Sequence, residues 1–209
     1  MFNIRKGFKI IPKLNLFDFL KFNLLKKRNG WFLPYRGGKY NIHKDAEIII
    51  NKGSFSFNSG GKNDPFKGYL TMEKDSKLIV NGNFSIKSGG RVSICNGATL
   101  EVGSGYINYN TFLVCRKKIC IGNKAKISNN VVIRDNDAHE IINGKNESKE
   151  SIEIGEHVWI GTNVTILKGV KIGNGAIIGA NSLINKNVPE KMLVAGIPAK
   201  IIKENIEWK

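Results

Sequence analysis

Residues 154–189 read IGEHVW IGTNVT ILKGVK IGNGAI IGANSL INKNVP when they are written in groups of six. Every group begins with isoleucine, and its fifth position holds a smaller residue: Val158, Val164, Val170, Ala176, Ser182 and Val188. Six residues are too few for a strand, a helix and two connections, so each group predicts one short strand and its turn. Three groups close a coil of about eighteen residues, and successive coils stack at the spacing of neighbouring strands, roughly 4.8 Å. The segment therefore predicts an all-β solenoid, a triangular prism with an aliphatic core.

The repeat also occurs upstream, where Ile121, Ile127 and Ile133 occupy the first position, and in looser form over residues 76–108. Two segments interrupt it: NSGGKNDPFKGY at 58–69, and residues 134–150. A solenoid tolerates a loop that leaves one corner and returns to it, and such loops often carry function. We therefore predict three regions: an N-terminal segment at 1–41, the β-helix at 42–189 with these two loops, and a C-terminal extension at 190–209.

The N-terminal segment lacks the six-residue period. Its apolar residues follow a helical stripe with basic residues beside it: Leu16, Phe17, Phe19, Leu20, Leu24 and Leu25, with Lys21, Lys26, Lys27 and Arg28. We expect a short helical or irregular cap that covers the open end of the solenoid. A basic amphipathic helix is also one way to lie on an anionic membrane surface, so peripheral membrane contact is the alternative interpretation.

Charge and cysteine content limit the partners and the compartment. Lys and Arg number 33 against 17 Asp and Glu, a net charge of +16, which favours an anionic partner. No recognised nucleic-acid motif accompanies this charge, so we expect no nucleic-acid partner. Three cysteines without a CxxC spacing predict neither a disulfide framework nor a zinc ribbon. Because we find no export signal and no apolar run of membrane-spanning length, we expect a cytoplasmic protein.

Two further stretches, taken with the hexads, resemble a known family. VWIG at 158–161 and NKNVPEKMLVAGIPAKIIK at 185–203 are similar to motifs of the hexapeptide-repeat acyltransferases. The resemblance extends over residues 119–203, and more weakly over 42–118. Within the family it points to the sugar O-acetyltransferases of surface-polysaccharide biosynthesis and to the galactoside and maltose acetyltransferases. It implies a left-handed parallel β-helix, acetyl-CoA as co-substrate without a metal, and a homotrimer whose active sites lie between subunits.

The longer interruption contains His139, in the sequence DNDAHEI. An imidazole titrates in the range that suits a general base for attack of a hydroxyl or amine on a thioester. By the resemblance, a histidine at the start of this loop is the general base, and either Asp135 or Asp137 orients it or binds an acceptor hydroxyl. The alternative interpretation is a solvated loop histidine. His157 is expected at the surface, and no compact histidine cluster indicates a metal site.

The resemblance also assigns residues to the acetyl-CoA groove. Small residues let the pantetheine arm approach the backbone, Trp159 walls the thioester, and Thr162 polarises the acetyl carbonyl. Basic residues lie near the CoA phosphates. The expected donor-binding residues are Trp159, Gly161, Thr162, Gly179, Ala180, Asn185, Lys186, Lys200 and Lys203. Each glycine is also explained as a turn residue, Trp159 by packing, and each lysine as a solvated surface charge.

The acceptor is the least determined part of the site. Some relatives bind it with an asparagine one coil before the catalytic strand, which corresponds to Asn110. The resulting hypothesis is an acetyl-CoA-dependent O-acetyltransferase that modifies a sugar hydroxyl of a cell-surface polysaccharide or its precursor. An N-acetyltransferase acting on a nucleotide-linked amino sugar is the alternative within the same fold. A non-catalytic β-solenoid, serving as a scaffold or nucleic-acid binder, is the alternative from another class.

Overall fold

Three parallel sheets enclose a triangular prism, and a short helix precedes them. The structure is a computed structural model that describes residues 13–24, 29–61, 64–139 and 148–209. The helix, α1, spans Leu16–Leu24. As far as Ile184, consecutive strands occupy the three faces of the prism in turn, as a coil of three short strands requires. The predicted all-β prism with a helical N-terminal cap is confirmed.

Each sheet forms one face of the prism. The first face contains β1 (Gly30–Pro34), β4 (Gly53–Phe57), β7 (Phe84–Ile86), β10 (Gly105–Ile107), β13 (Ala125–Ile127), β16 (Trp159–Ile160), β19 (Ile177–Ile178), β21 (Leu193–Gly196) and β22 (Ala199–Lys203). The second face contains β2 (Lys39–Ile42), β5 (Tyr69–Met72), β8 (Arg91–Ile94), β11 (Phe112–Cys115), β14 (Val132–Arg134), β17 (Thr165–Ile166) and β20 (Leu183–Ile184). The third face contains β3 (Glu47–Ile50), β6 (Lys77–Val80), β9 (Thr99–Val102), β12 (Lys118–Ile121), β15 (Ile152–Ile154) and β18 (Lys171–Ile172).

The hexads form the strands that their period predicts. Ile160 pairs with Ile178, and Ile166 pairs with Ile184, so residues eighteen apart stack in neighbouring coils. These isoleucines are buried, because successive side chains of a strand alternate between the core and the outside. Asn163 and Asn181 take the corners with φ near 60° and 58°, a conformation that asparagine tolerates better than most residues.

The longer interruption leaves the solenoid register undisturbed. Ile119 pairs with Ile152 on the third face, and Ile133 pairs with Ile166 on the second, so the coils before and after the loop stack directly. Residues 140–147 of this loop lie outside the described part, as do residues 62–63 of the shorter loop. The longer loop therefore leaves the edge between the second and third faces and returns to the same edge.

An aromatic cluster closes the N-terminal end of the core. Phe22 of α1 is buried against Phe32 and Tyr40, with ring centroids 4.8 and 5.5 Å apart. The Asn23 side-chain amide donates to the Phe32 carbonyl oxygen (2.8 Å) and accepts from the Phe32 N–H (2.9 Å). Because these are free groups of the edge strand β1, α1 protects the edge from pairing with another strand.

The parallel coils extend beyond the predicted limits at both ends. The first coil begins with β1 at Gly30 rather than at residue 42. The six-residue pattern does not reveal this coil, because its strands bury aromatic residues and lack the hexad spacing. At the other end β21 adds a parallel strand to the first face, and β22 folds back on it antiparallel. Leu25 of the predicted apolar stripe and the basic residues Lys26, Lys27 and Arg28 beside it lie outside the described residues. In the described part of the chain, no helix is long and apolar enough to cross a membrane.

Candidate active site

The two ends of the longer loop form a narrow antiparallel neck. Asn136 bridges Lys149, the Asp137 N–H donates to the Ser148 carbonyl (2.9 Å), and the Glu150 N–H donates to the Asp135 carbonyl (3.0 Å). These bonds fix the path of the chain beyond β14. The neck therefore projects from the edge between the second and third faces at a defined position.

Asp135 lies at the base of the neck and is fully buried. One carboxylate oxygen accepts the Arg116 N–H and the other accepts the Lys117 N–H, each at 2.7 Å. These two donors belong to the corner that follows β11 in the preceding coil. The carboxylate thus accepts the backbone hydrogen bonds of a tight corner, so Asp135 has a structural role.

Asp137 has a different environment, since half of its side chain is exposed. Lys168, on the corner between β17 and β18, lies 3.0 Å from the Asp137 carboxylate and 3.4 Å from that of Glu150. The hydrogen bond to Asp137 and the charge of both carboxylates raise the pKa of the Lys168 ammonium group, which therefore stays protonated. Lys168 ties the neck to the coil that follows it.

His139 follows the neck and is exposed to solvent. Its imidazole makes no hydrogen bond with another residue in the described part of the chain. Two buried polar atoms at the base of the neck, Arg134 Nε and Asn136 Oδ1, also lack a hydrogen-bond partner among the described residues. The end of β14 thus presents an accessible imidazole above unsatisfied polar groups.

The predicted donor residues divide between two parts of the prism. Trp159, Gly161 and Gly179 lie on the first face, with Trp159 44% exposed. A Cβ on Gly161 would come within 2.7 Å of the Ala180 backbone nitrogen, and one on Gly179 within 2.8 Å of the Ala195 Cβ. Both glycines are therefore required by the stacking of coils, and they leave backbone accessible beside Trp159.

The remaining predicted donor residues lie on or next to the same face, apart from two. Thr162 and Ala180 follow β16 and β19 at the corner with the second face, and Lys200 and Lys203 are exposed on β22. Asn185 and Lys186 follow β20, at the edge between the second and third faces. That edge is also the one from which His139 projects.

A single chain therefore does not bring His139 and Trp159 together. Trp159 lies on the first face, whereas the neck that carries His139 leaves the opposite edge, between the other two faces. The predicted acceptor residue Asn110 lies at a third position, on the exposed corner that precedes β11, with φ near 58°. The structure groups the donor residues of the first face but keeps them apart from His139.

Trp208, in the C-terminal tail, is a residue that sequence reasoning missed. Its ring stacks on His157 with centroids 3.9 Å apart and planes 3° from parallel. Its centroid also lies 5.9 Å from that of Trp159, and the Lys126 ammonium sits over its ring at 4.8 Å. The tail carries a tryptophan outside the periodic region, which is the one signal that could have drawn attention to it.

Hydrogen bonds hold this tail on the prism. His157 Nε2 lies 2.9 Å from the Trp208 carbonyl oxygen, so Nε2 donates, and the Trp208 indole N–H donates to the Gly175 carbonyl (3.2 Å). The Ile206 N–H donates to the Lys191 carbonyl (2.9 Å). The tail thus returns along the corner before Trp159 and places Trp208 beside it.

A cavity of about 870 Å³ runs along the third face. It follows a column of glycines at one corner of successive coils: Gly103, Gly122, Gly155 and Gly173. Ion pairs between Lys118 and Glu101 (3.6 Å) and between Lys171 and Glu153 (3.2 Å) cross its surface. None of the predicted site residues lines it, so we assign it no part in the chemistry. Among the described residues no three His, Cys, Asp or Glu side chains converge as metal ligands.

Comparison with known proteins identifies the family. The model of the bacterial transferase hexapeptide (six repeats) matches residues 151–186. An uncharacterized 24.8 kDa protein in the cps region of Klebsiella pneumoniae is 37% identical over 200 residues, which are 93% of this chain and 87% of that protein. The chain belongs to the hexapeptide-repeat acyltransferases. The predicted family is therefore confirmed, and the named acetyltransferases that follow confirm the prediction of an acyltransferase enzyme.

Two named acetyltransferases are similar to this hexapeptide-repeat acyltransferase. The polysialic acid O-acetyltransferase of Escherichia coli O1:K1 / APEC is 36% identical over 151 residues, which are 70% of this chain but only 43% of that enzyme. The crystal structure of the polysialic-acid-specific acetyltransferase NeuO covers 88% of this chain and 81% of its own, with a TM-score of 0.51 and 25% identity.

A second solved structure, that of a mutant of the N-acyltransferase AntD from Bacillus cereus with dTDP and coenzyme A, has a TM-score of 0.54 at 19% identity. It covers 81% of this chain and 82% of its own and shows a shared fold. The acyltransferase thus has the left-handed β-helix expected of its family.

Proposed function

We propose that the protein is an acetyl-CoA-dependent O-acetyltransferase that modifies a sugar hydroxyl of a cell-surface polysaccharide or its precursor. The observation that carries this proposal is the position of His139: an exposed imidazole two residues beyond a hydrogen-bonded neck, at the one long interruption in the described hexad coils. The relative that is named for polysialic acid O-acetylation supports the choice of a saccharide hydroxyl as acceptor.

His139 acts as the general base in this proposal. Its neutral imidazole removes the proton from the acceptor hydroxyl as the oxygen attacks the acetyl carbonyl carbon. The C–S bond of the thioester then breaks, and the imidazolium returns the proton to the leaving CoA thiolate. The products are the acetyl ester and CoA with its thiol protonated, so the base is regenerated without a net change in protonation.

We assign Asp137 as the carboxylate that orients the His139 imidazole. The Asp135 oxygens are already engaged by two backbone N–H groups, whereas the exposed Asp137 faces the solvent side of the neck. A nearby carboxylate holds an imidazole in one orientation and stabilises its protonated form. Lys168, ion-paired with Asp137, keeps that carboxylate in position.

The acetyl-CoA donor fits the first face. Half-buried backbone at Gly161 and Gly179 suits the amides of the pantetheine arm, Trp159 offers an apolar wall, and the exposed Lys200 and Lys203 suit the CoA phosphates. Thr162 is available to polarise the acetyl carbonyl, with Ala180 allowing close approach. Because His139 leaves the opposite edge, we propose that the first face of one subunit meets the His139 edge of its neighbour in a homotrimer.

The test is release of CoA from acetyl-CoA, followed with a thiol reagent across a panel of mono- and oligosaccharides that carry hydroxyl or amine acceptors. We expect acceptor-dependent release that falls by roughly 10² or more in His139→Ala, the scale of a lost general base. His43→Ala is the matched control, because His43 is an exposed histidine at the same edge of the first coil.

Three outcomes would contradict the proposal. Release that depends only on amine acceptors would identify an N-acetyltransferase instead. Equal activity of His139→Ala and His43→Ala would exclude His139 as the base. Absence of both acceptor-stimulated release and acetyl-CoA binding by calorimetry would favour a non-catalytic solenoid.

A further inference from the structure

A second cavity, of about 430 Å³, lies where the shorter loop meets the second face. Six of its lining residues have side chains suited to a polar, ring-shaped ligand: Phe66, Lys67, Tyr69, Arg91, Asn110 and Phe112. The three aromatic side chains are 53%, 42% and 40% exposed. Large apolar side chains exposed together in one concave patch mark an interaction site more often than a solvated surface.

The solenoid register sets the spacing of this patch. Tyr69 pairs with Arg91, and Arg91 pairs with Phe112, at the first position of three consecutive strands of the second face. The three side chains therefore form an outward ladder with steps of about 4.8 Å. The Arg91 guanidinium lies 5.6 Å from the centre of the Tyr69 ring, and this contact orients the cation along the ladder.

The shorter loop supplies the wall of the cavity and is anchored to the prism. The Asp64 carboxylate accepts hydrogen bonds from the Ser88 hydroxyl and, at 3.0 Å, from the Phe66 N–H. That carboxylate is therefore occupied and does not line the cavity. Among the described residues that line it none is acidic, and no carboxylate of the described chain pairs with the Arg91 guanidinium.

We propose that this cavity, the aromatic–arginine groove, binds an acidic saccharide. The apolar faces of pyranose rings suit Tyr69 and Phe112, and the planar fork of Arg91 suits a sugar carboxylate through two parallel N–H···O bonds. The Asn110 side-chain amide, exposed at the same corner, can donate to and accept from ring hydroxyls. The role of the groove as an acceptor subsite rests on the proposed function. Its binding of an acidic saccharide does not depend on that function.

The place of the groove predicts an acceptor longer than one sugar. Phe112 pairs with Val132 of β14, the strand that leads into the neck and His139, so the groove and the neck share the second face. The rung at Tyr69 lies three strand spacings, about 14 Å, from β14. Only a chain of several rings can occupy the whole groove and still present a hydroxyl to His139, which favours an oligosaccharide over a monosaccharide.

The experiment measures binding without acetyl-CoA. Hexasaccharides of a uronic acid and of sialic acid, and the same hexasaccharides with their carboxylates reduced to alcohols, are titrated calorimetrically into the full-length protein. We expect at least one acidic hexasaccharide to bind roughly tenfold or more tightly than its reduced counterpart. We expect Arg91→Ala to lose this preference and Phe112→Ala to weaken both members of the pair.

Controls separate the groove from bulk charge and from the catalytic proposal. Lys77→Ala removes an exposed cation from the third face and should leave binding unchanged. Arg91→Lys should retain only part of the preference, because an ammonium group lacks the planar fork. His139→Ala should bind the hexasaccharide normally but lose acetyl transfer. Binding therefore tests the groove, and transfer tests the proposed function.

Several results would overturn the groove proposal. Equal affinity for acidic and reduced hexasaccharides, or equal effects of Arg91→Ala and Lys77→Ala, would show that the groove does not recognise a sugar carboxylate. Competition by a nucleoside diphosphate such as dTDP for an Arg91-dependent site would reassign the groove to a nucleotide. A changed molecular mass of Arg91→Ala in light scattering would reassign it to a contact between subunits.

Discussion

At the scale of single residues, two neighbouring aspartates of identical chemistry have different roles because one is buried and the other is not. Asp135 accepts two backbone N–H groups from the corner of the previous coil, and Asp137 pairs with Lys168 at the surface of the neck. In the motif DNDAHEI the two are equivalent candidates. Their environments in the structure predict opposite consequences for stability and for activity.

Asp135→Ala should destabilise the fold by about 2–4 kcal/mol, because two buried N–H groups lose a charged acceptor. Asp137→Ala should lower the free energy of unfolding by at most about 1 kcal/mol, since the Asp137 carboxylate is half-exposed and Lys168 keeps its ion pair with Glu150, yet it should lower kcat. Denaturant unfolding and acetyl-transfer rates of both variants distinguish the roles. Asp135→Asn is the matched control, because it keeps one acceptor oxygen and should lose less stability. A stable but inactive Asp135→Ala would reverse the assignment.

At the scale of elements, two segments outside the hexads cover the prism. The C-terminal tail returns along one corner and stacks Trp208 on His157 next to Trp159. Helix α1 packs Phe22 into the core but leaves four apolar side chains in solvent: Leu16, Phe17, Leu20 and Leu24. The tail therefore packs beside Trp159 of the first face. The helix offers an apolar surface at the opposite end of the solenoid.

Trp208→Ala should destabilise the protein by about 1–2 kcal/mol, through loss of the stack on His157 and of the contact with Lys126. If Trp208 also holds Trp159 in place, KM for acetyl-CoA should rise while kcat changes little. A double-mutant cycle with His157→Ala tests the contact, and the two effects should be markedly non-additive. Fully additive effects, or an unchanged KM, would show that the tail does not position Trp159.

The exposed face of α1 is the surface that we propose for peripheral membrane contact. Leu16, Phe17, Leu20 and Leu24 lie on one side of the helix, with Lys13 and Lys21 exposed nearby. We expect co-sedimentation with vesicles that contain anionic lipid, and weaker co-sedimentation for Phe17→Glu or Leu24→Glu. Tyr106→Glu, which alters an exposed aromatic residue of the first face, is the control. Equal sedimentation of all variants would exclude α1 as the contact.

At the scale of the whole molecule, the prism separates the groups that the proposed acetyl transfer combines. His139 leaves the edge between the second and third faces, and Trp159 lies on the first. A side-chain movement alone does not bring these positions together, because the buried core of the prism lies between them. The separation supports an assembly in which neighbouring subunits complete each site.

Light scattering should therefore give a mass three times the 23.2 kDa of one chain. When His139→Ala and Trp159→Ala subunits, each inactive alone, are co-expressed in equal amounts, the whole population of trimers should recover about a quarter of the normal activity, since random assembly leaves that fraction of sites intact. Tags of different mass on the two variants verify mixing. Mixed trimers without activity would place the whole site within one chain.

Much of the fold follows from local pattern alone. The isoleucines at every sixth position from Ile154 to Ile184 specify short strands, and the asparagines and glycines between them specify corners, because both depend on nearest neighbours in the coil. The interruption at 134–150 is visible for the same reason, as the place where the period stops. The first coil, from Gly30, escapes prediction, since its strands depend on aromatic packing against α1 and follow no period.

The sequence predicts only those residues of the candidate site that lie in the repeat or at its interruption. Asp137 and His139 can be located because they stand where the period stops, whereas Trp159 and Gly161 lie within the hexads and are singled out by the resemblance to the family. The burial of Asp135, the stack of Trp208 on His157, and the alignment of Tyr69, Arg91 and Phe112 required the tertiary structure. Each of these joins residues from different coils or from a tail, and their contacts arise only once the coils have stacked.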